Sequence, residues 1–204
     1  MKIFCIGRNY ANHAKEMNSP VPSQPMVFMK PPTALLKNNE DFYYPDFTEN
    51  LHYEVELVLK IAKNGKRVDS PFALSYIESV GLGIDFTARD VQAKCKEKGH
   101  PWEIAKAFDN SAVVSPFVSM DDITDDEGNV SFSLYKNDEL VQQGNTKDLI
   151  FNYTELIVHI SKFFSLQKGD LIYTGTPAGV GPVVIGDVLT GFIGEREMFR
   201  CEVK

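Results

Sequence analysis

The sequence has few cysteines, and none of them are paired in a redox or metal-binding spacing. Its 204 residues include three, Cys5, Cys95 and Cys201, without a CxxC motif. An odd and widely spaced set excludes a disulfide framework and is typical of proteins kept in a reducing compartment. We therefore expect a cytoplasmic location.

Long apolar runs are missing as well. No stretch approaches the roughly 18 to 20 consecutive apolar residues that a membrane-spanning helix needs. The N-terminal segment MKIFCIGRNYA reaches the charged Arg8 too early for the apolar region of a signal peptide. These absences predict a protein without a membrane partner.

Positive charge is in deficit. The chain carries 21 Lys and Arg residues against 28 Asp and Glu residues, a net charge of −7. Nucleic-acid-binding proteins usually have a basic excess, so we expect no nucleic-acid partner. The hydrophobic content of 43% is that of an ordinary globular protein. A chain of 204 residues is also long enough to form a core without disulfides.

Strands predominate in the secondary structure that the sequence predicts. Residues 51–61, LHYEVELVLKI, alternate between apolar and polar positions, which predicts a half-buried strand. Other predicted strands are 2–6, 26–30, 80–87, the hairpin 130–144 with its turn at Lys136-Asn137-Asp138, and the C-terminal segments LIYT, VLTGFI and MFRCEV.

Helical patterns are fewer. Predicted helices are 10–17 with Asn9 as a possible cap, the segment that follows Ser70-Pro71, 89–98 ending at Gly99, and 153–164 with the apolar stripe Leu156, Ile157, Ile160, Phe163 and Phe164. This pattern predicts a β-rich α+β fold, with residues 1–204 forming one folded unit.

Three acidic residues are candidates for a metal site. Glu54 and Glu56 share one face of the predicted strand, about 7 Å apart from the rise per residue. Asp85 lies in the glycine-rich apolar segment GLGIDFTA, where a carboxylate needs a partner. A solvated strand face would also explain the two glutamates, but three such acids suit Mg²⁺ or Mn²⁺. His52 has the same parity and could be a fourth ligand, although a hydrogen-bonded supporting role is the commoner case.

Other residues could carry proton transfer or bind anions. His13 and Glu16 are three residues apart on a predicted helix, so the carboxylate could orient the imidazole as a general base, or the pair could be incidental. Lys106 has apolar neighbours and could neutralise an enolate, or extend to solvent. Arg8 could meet an anion. The glycine-rich TGTPAGVGP, residues 174–182, could offer backbone N–H groups and the Thr176 hydroxyl to an anion.

Taken together, these segments resemble the fumarylacetoacetate hydrolase superfamily, in particular its short acylpyruvate hydrolases and oxaloacetate decarboxylases. The matching stretches run in the family's order: GRNYANHAKEM, FMKPPTALL, HYEVELVL, GIDFTARDVQ, PWEIAKAFDNSAVVSP and TGTPAGVGP.

The resemblance implies a mixed β-sandwich and β-roll fold and a homodimer. It implies that Glu54, Glu56 and Asp85 hold Mg²⁺ or Mn²⁺. It also implies that His13 and Glu16 form a catalytic pair on a mobile lid, residues 8–25. Arg8, Lys106 and Thr176 fall where the family binds the substrate's α-keto carboxylate, and Lys106 would also stabilise the enolate.

The expected reaction is hydrolysis of the C–C bond of a 3-acylpyruvate to pyruvate and a carboxylate, with oxaloacetate decarboxylation as a second reaction through the same enolate. Two alternatives remain at this point. One is an isomerase or hydratase of dienoic 2-keto acids, and the other is a non-catalytic protein that binds a metal or a carboxylate.

Overall fold

The structure, a computed structural model, describes residues 1–36 and 40–204. Strands predominate in these ranges. They are β1 (Ile3–Gly7), β2 (Met26–Lys30), β3 (Leu35–Leu36), β4 (Leu51–Tyr53), β5 (Val55–Ile61), β6 (Ile77–Asp85), β7 (Thr87–Ala88), β8 (Ala112–Val114), β9 (Ser131–Lys136), β10 (Glu139–Asn145), β11 (Leu171–Tyr173), β12 (Gly181–Pro182), β13 (Val188–Ile193) and β14 (Arg196–Glu202). The helices are α1 (Ala11–Glu16), α2 (Arg89–Lys98), α3 (Glu103–Lys106) and α4 (Tyr153–Phe163), with short 3-10 turns at Pro32–Ala34, Ser70–Tyr76, Met120–Asp122 and Thr146–Asp148.

Within those ranges the strands form three sheets. The largest has the order β2-β1-β11-β5-β6-β8-β3 and is mixed, since β1 runs parallel to β11 and β3 parallel to β8. A four-stranded antiparallel sheet has the order β10-β9-β13-β14, and a three-stranded sheet the order β12-β4-β7. This architecture confirms the predicted β-rich α+β class.

The predicted strand over 51–61 differs from the structure in two respects. It divides at Glu54 into β4 and β5, which belong to different sheets. It is also buried on both faces instead of one: Leu57 packs into the larger core cluster, while Val58, on the glutamate face, packs into a second cluster. Because both faces of β5 are covered there, the acidic side chains lie inside the protein.

Two helix predictions need correction. Asn9 does not cap α1, which begins after Tyr10; its side chain instead donates to the carbonyls of Phe151 and Thr174 and accepts from the Phe151 N–H. The segment after Ser70-Pro71 is a 3-10 helix, not an α-helix. Asn9 therefore ties the end of β1 to the loop that follows β11.

Other local predictions are confirmed. Helix α2 ends at Gly99, whose φ of +65° is the left-handed conformation that favours glycine. The hairpin β9–β10 turns at Asn137 and Asp138, both with positive φ.

No helix among the described residues is long and apolar enough to cross a bilayer.

Helix α4 tests how far an apolar stripe predicts burial. Leu156, Ile157 and Ile160 are buried as expected, whereas Phe163 is 61% exposed and its predicted burial is wrong. Ile160→Ala should lower the free energy of unfolding by about 2–5 kcal/mol, because it leaves a cavity. Phe163→Ala should change it by less than about 0.5 kcal/mol. Urea denaturation of both variants measures the difference, and equal losses would contradict this assignment of the helix face.

Candidate metal centre and active site

The β-ladder brings two of the three acids opposite each other. β4 pairs with β7 (His52 with Thr87) and β5 with β6 (Val55 with Ile84) in one continuous register. That register places Glu54 across from Asp85, and the Asp85 N–H donates to the Glu54 carbonyl at 2.9 Å. Glu56 follows two residues later on the same face of the strand. The three carboxylates are therefore neighbours by strand geometry.

These acids form a compact buried group. One carboxylate oxygen from each of Glu54, Glu56 and Asp85 lies within 4.8 Å of the other two. The residues are 5%, 2% and 1% exposed, respectively. Water can do little to screen their mutual repulsion, so the protein or a bound ion has to supply positive charge.

Three basic side chains supply part of that charge. Lys106 Nζ lies 2.9 Å from Glu54 Oε2 and 2.7 Å from Asp85 Oδ2. Arg89 Nη2 lies 2.6 Å from Glu54 Oε1, and Lys30 Nζ lies 2.8 Å from Asp85 Oδ1. Burial by itself would raise the pKa of Glu54, but Lys106 and Arg89 outweigh it and hold the pKa low.

Lys30 and Arg89 were not among the residues predicted from the sequence. Lys30 ends the apolar strand MVFMK and is almost fully buried, with its ammonium group also donating to the Ser111 hydroxyl. The lysine at the end of an apolar strand is the sequence feature that could have indicated a buried partner for an acid. Arg89 stands within the GIDFTARDVQ stretch beside Asp85, where its proximity in sequence could have indicated the pairing.

Glu56 differs from the other two acids. Its carboxylate accepts a hydrogen bond from the Gly175 N–H at 2.6 Å, and no lysine or arginine among the described residues forms an ion pair with it. Burial raises its pKa well above the usual value, and the charges of Asp85 and Glu54 raise it further. An additional cation would relieve this repulsion.

The donor set fits a hard divalent cation. Three carboxylates in one small space are the oxygen ligands that Mg²⁺ and Mn²⁺ prefer. His52 is not part of this group in the described chain; its Nε2 lies 2.9 Å from Asn50 Oδ1. Burial and the nearby Arg89 lower the His52 pKa to about 4, so the ring is neutral at pH 7. A neutral imidazole could bind a metal, but the position of His52 outside the acidic group does not support it as a fourth ligand.

His13 and Glu16 form a hydrogen-bonded pair on α1. The His13 Nδ1 atom lies 3.1 Å from Glu16 Oε2, and the other Glu16 oxygen accepts from the Gly179 N–H at 3.0 Å. When Nδ1 carries the proton that is shared with Glu16, Nε2 is the unprotonated nitrogen and can accept a proton. The pair has the arrangement of an oriented general base.

The loop 174–182 touches both groups. Gly175 and Gly179 have φ of +104° and +99°; a Cβ at Gly175 would lie 2.6 Å from Asn9 Cβ, and one at Gly179 would overlap the Val141 carbonyl oxygen. Glycine is thus required at both positions. The N–H groups of these two glycines bind the protein's own carboxylates, so these two are not available to an outside anion.

Most of the predicted site residues line one cleft. Arg8, His13, the three acids, Lys106 and Thr176 all line it, with Glu16 behind His13. The rest of the wall includes an apolar group, Met17, Met26, Phe28 and Trp102. The described chain therefore contains a cleft with an acidic cation site, an oriented histidine and an apolar side. Its catalytic roles, and the mobility of residues 8–25, stay predictions.

Fold and site together define a class of β-rich proteins with a three-carboxylate cation site beside a His–Glu pair. Residues 2–204 match the family described as fumarylacetoacetate (FAA) hydrolase C-terminal, and the chain belongs to this family.

Relatives and a solved structure agree with that membership. The chain is 43% identical over 202 residues to the mitochondrial oxaloacetate tautomerase FAHD1 of Mus musculus, covering 99% of this chain and 91% of the relative. It is 44% identical over 189 residues to the oxaloacetate tautomerase YcgM of Escherichia coli, covering 93% and 86%. The crystal structure of fumarylpyruvate hydrolase from Pseudomonas aeruginosa, in complex with Mn²⁺ and pyruvate, superposes with a TM-score of 0.92 at 37% identity, covering 100% and 89%.

The position of Glu56 generates a prediction about cation binding. Glu56→Gln removes a predicted ligand and also relieves repulsion with Asp85 and Glu54. In chelator, the variant should melt at or above the wild-type temperature. Its affinity for Mn²⁺ should fall by at least about 100-fold, since even the residues that only orient metal ligands are worth 10- to 100-fold.

Calorimetric titration with Mn²⁺ and thermal melts with and without the ion provide the measurements. Glu195→Gln, at an exposed turn, is the control and should bind like wild type. Unchanged Mn²⁺ affinity in Glu56→Gln would contradict the assignment of the site.

Proposed function

We propose that the protein is a divalent-metal-dependent enzyme that acts on enolisable 2-oxo acids bearing a second carboxylate, and that it interconverts the keto and enol forms of oxaloacetate. The observation that carries this proposal is the placement of the His13–Glu16 pair and the acidic group in one cleft. The reaction needs a base to move a proton at C3 and positive charge to hold an enolate, and the cleft contains groups suited to both.

Charge balance supports an anionic substrate. The three buried carboxylates are matched by three basic side chains, Lys30, Lys106 and Arg89. Glu54, Glu56 and Asp85 would hold Mg²⁺ or Mn²⁺, which when bound supplies a Lewis acid for the carboxylate and 2-oxo oxygens of the substrate. A divalent charge added to a balanced cluster favours a dianion such as oxaloacetate.

Each protein group has a role in this proposal. His13 Nε2 takes the proton from C3 while Glu16 holds the ring and stabilises its charged form. The electron pair moves onto the 2-oxo oxygen, and Lys106 stabilises the resulting enolate through its positive charge. Return of the proton to that oxygen gives the enol, and its return to C3 gives the keto acid.

Two further cations favour a second carboxylate on the substrate. Arg8 and Lys96 line the same cleft, and neither forms an ion pair with an acidic residue in the described ranges. Lys96 instead lies 5.5 Å from the centre of the Trp102 ring. These side chains remain available to the distal carboxylate of oxaloacetate or fumarylpyruvate. The names of the mouse, bacterial and Pseudomonas relatives agree with such substrates.

A second candidate reaction is hydrolysis of 3-acylpyruvates. It is favoured by the structural relative, a fumarylpyruvate hydrolase bound to pyruvate. Here His13 would deprotonate a water molecule that attacks the distal carbonyl; the C–C bond breaks to release a carboxylic acid and the pyruvate enolate, which is then protonated at C3. Oxaloacetate decarboxylation forms the same enolate with loss of CO₂ and needs no attacking water.

The resemblance also implies a homodimer, which we retain as part of the proposal. Light scattering after size-exclusion chromatography tests it, and a monomer mass would contradict it.

His13→Ala tests the base. General-base catalysis is worth about 10²- to 10⁴-fold, so tautomerisation of oxaloacetate and hydrolysis of fumarylpyruvate should both fall by that range, and decarboxylation by less. Enol absorbance, pyruvate release and CO₂ release are followed with Mn²⁺ and again with chelator. His159→Ala, on α4 and outside the cleft, is the matched control. If wild-type enzyme turns over none of these substrates, the proposed function is wrong.

Lys96→Met tests recognition of the second carboxylate. It keeps an unbranched side chain of similar length and removes the charge. The KM for oxaloacetate should rise about 10-fold, the lower end of the value of a hydrogen bond to a charged group, with kcat little changed. The KM for the monocarboxylate acetylpyruvate should stay within about two-fold. Lys94→Met on the same helix is the control, and equal effects on both substrates would refute a distal-carboxylate role.

A further inference from the structure

Gln142 is a buried polar residue outside the segments that carry the family resemblance. It lies on β10, in the four-stranded sheet, and is 2% exposed. A glutamine in such a place needs partners for its carbonyl oxygen and for both amide N–H groups. All of these partners belong to the strand and the loop that form the cleft.

A β-bulge turns this side chain inward. Leu140 pairs with Tyr135 and Gln142 with Leu134, so Val141 is an extra residue in the ladder. Leu140 and Gln142 would share a face of a regular strand, yet Leu140 is 47% exposed and Gln142 is buried. Bulges of this kind redirect a side chain and are frequent beside active sites.

The hydrogen bonds fix which way the amide points. The Val55 N–H donates to Gln142 Oε1 at 2.9 Å, and a backbone N–H can only be a donor. Gln142 Nε2 must then be the amide nitrogen, and it donates to Thr176 Oγ1 at 2.9 Å and to the Pro177 carbonyl at 3.0 Å. Both amide N–H groups are therefore used.

This arrangement sets the direction of the Thr176 hydroxyl. Its oxygen already accepts a hydrogen bond from Gln142, so its one proton is left for another acceptor. Thr176 lines the cleft beside the three acids. We propose that Gln142 is a positioning residue that makes Thr176 a hydrogen-bond donor to an anionic oxygen of the bound 2-oxo acid. This inference rests on the proposed function.

The same residue also holds two parts of the cleft at a fixed distance. Val55 stands between Glu54 and Glu56 on the strand, and Pro177 lies in the loop that carries Gly175 and Gly179. Gln142 thus links the acidic strand to the loop whose N–H groups bind Glu56 and Glu16. If Gln142 were only a structural link, replacing it would lower pyruvate affinity equally with and without the Thr176 hydroxyl. A positioning role predicts instead that the loss depends on that hydroxyl.

Gln142→Glu is the test, because glutamate has nearly the same shape; it reverses the hydrogen bond with Thr176 and loses the one donated to the Pro177 carbonyl. Its carboxylate still accepts from the Val55 N–H, but it also accepts from the Thr176 O–H, so the hydroxyl no longer donates to the ligand. We expect affinity for pyruvate in the Mn²⁺-loaded protein to fall about 10-fold, and Mn²⁺ affinity without pyruvate to stay within about two-fold. Isothermal titration measures both.

A double-mutant cycle with Thr176→Val completes the experiment. Thr176→Val alone should cost a similar factor in pyruvate affinity, and Gln142→Glu should add less than two-fold to it. An equal further loss when Gln142→Glu is added to Thr176→Val would show that Gln142 acts only on structure and overturn the proposal. Wild-type pyruvate affinity in Thr176→Val would also overturn it, even if Gln142→Glu fails to fold. If the wild-type protein binds no 2-oxo acid, the proposed function itself fails.

Discussion

The site depends on one electrostatic constraint: three carboxylates are held close together away from water. Such a group is stable only if positive charge surrounds it, and the surrounding elements contribute accordingly. Strand β2 provides Lys30, helix α2 provides Arg89 and helix α3 provides Lys106. Glu56 accepts a hydrogen bond from the Gly175 N–H and has no basic partner in an ion pair within residues 1–36 and 40–204. The remaining repulsion around Glu56 is what a divalent cation would relieve, so this part of the fold is built for binding at some cost in stability.

The glycine-rich loop joins the cation site to the histidine pair. Gly175 binds Glu56, and Gly179 binds Glu16, which in turn contacts His13. Asn9 and Gln142 both hold the loop through its backbone carbonyls, those of Thr174 and Pro177. A shift of this loop would disturb Glu56 and Glu16 together. Positive φ and close neighbouring atoms each require glycine at positions 175 and 179.

A shared intermediate explains how relatives of this chain can carry the names of different reactions. Tautomerisation, decarboxylation and C–C hydrolysis of 2-oxo acids all pass through an enolate, and Lys106 with the acidic group suits that common step. Tautomerisation and decarboxylation can start from the same oxaloacetate, whereas C–C hydrolysis needs an acyl group at C3. That part of the substrate would meet the apolar wall and the two basic residues of the cleft that have no acidic partner in the described ranges, Arg8 and Lys96.

The sequence by itself determined the local features: the hairpin turn, the end of α2 at Gly99, the β-rich class and the shared face of Glu54 and Glu56. These depend on residues close in the chain, whose spacing sets strand and helix geometry. Only the tertiary structure decided that the glutamate face is buried, because a period of two gives the faces of a strand and not what covers them. Likewise the roles of Asn9, Lys30 and Gln142 come from partners far away in sequence, as with Val55, 87 residues from Gln142.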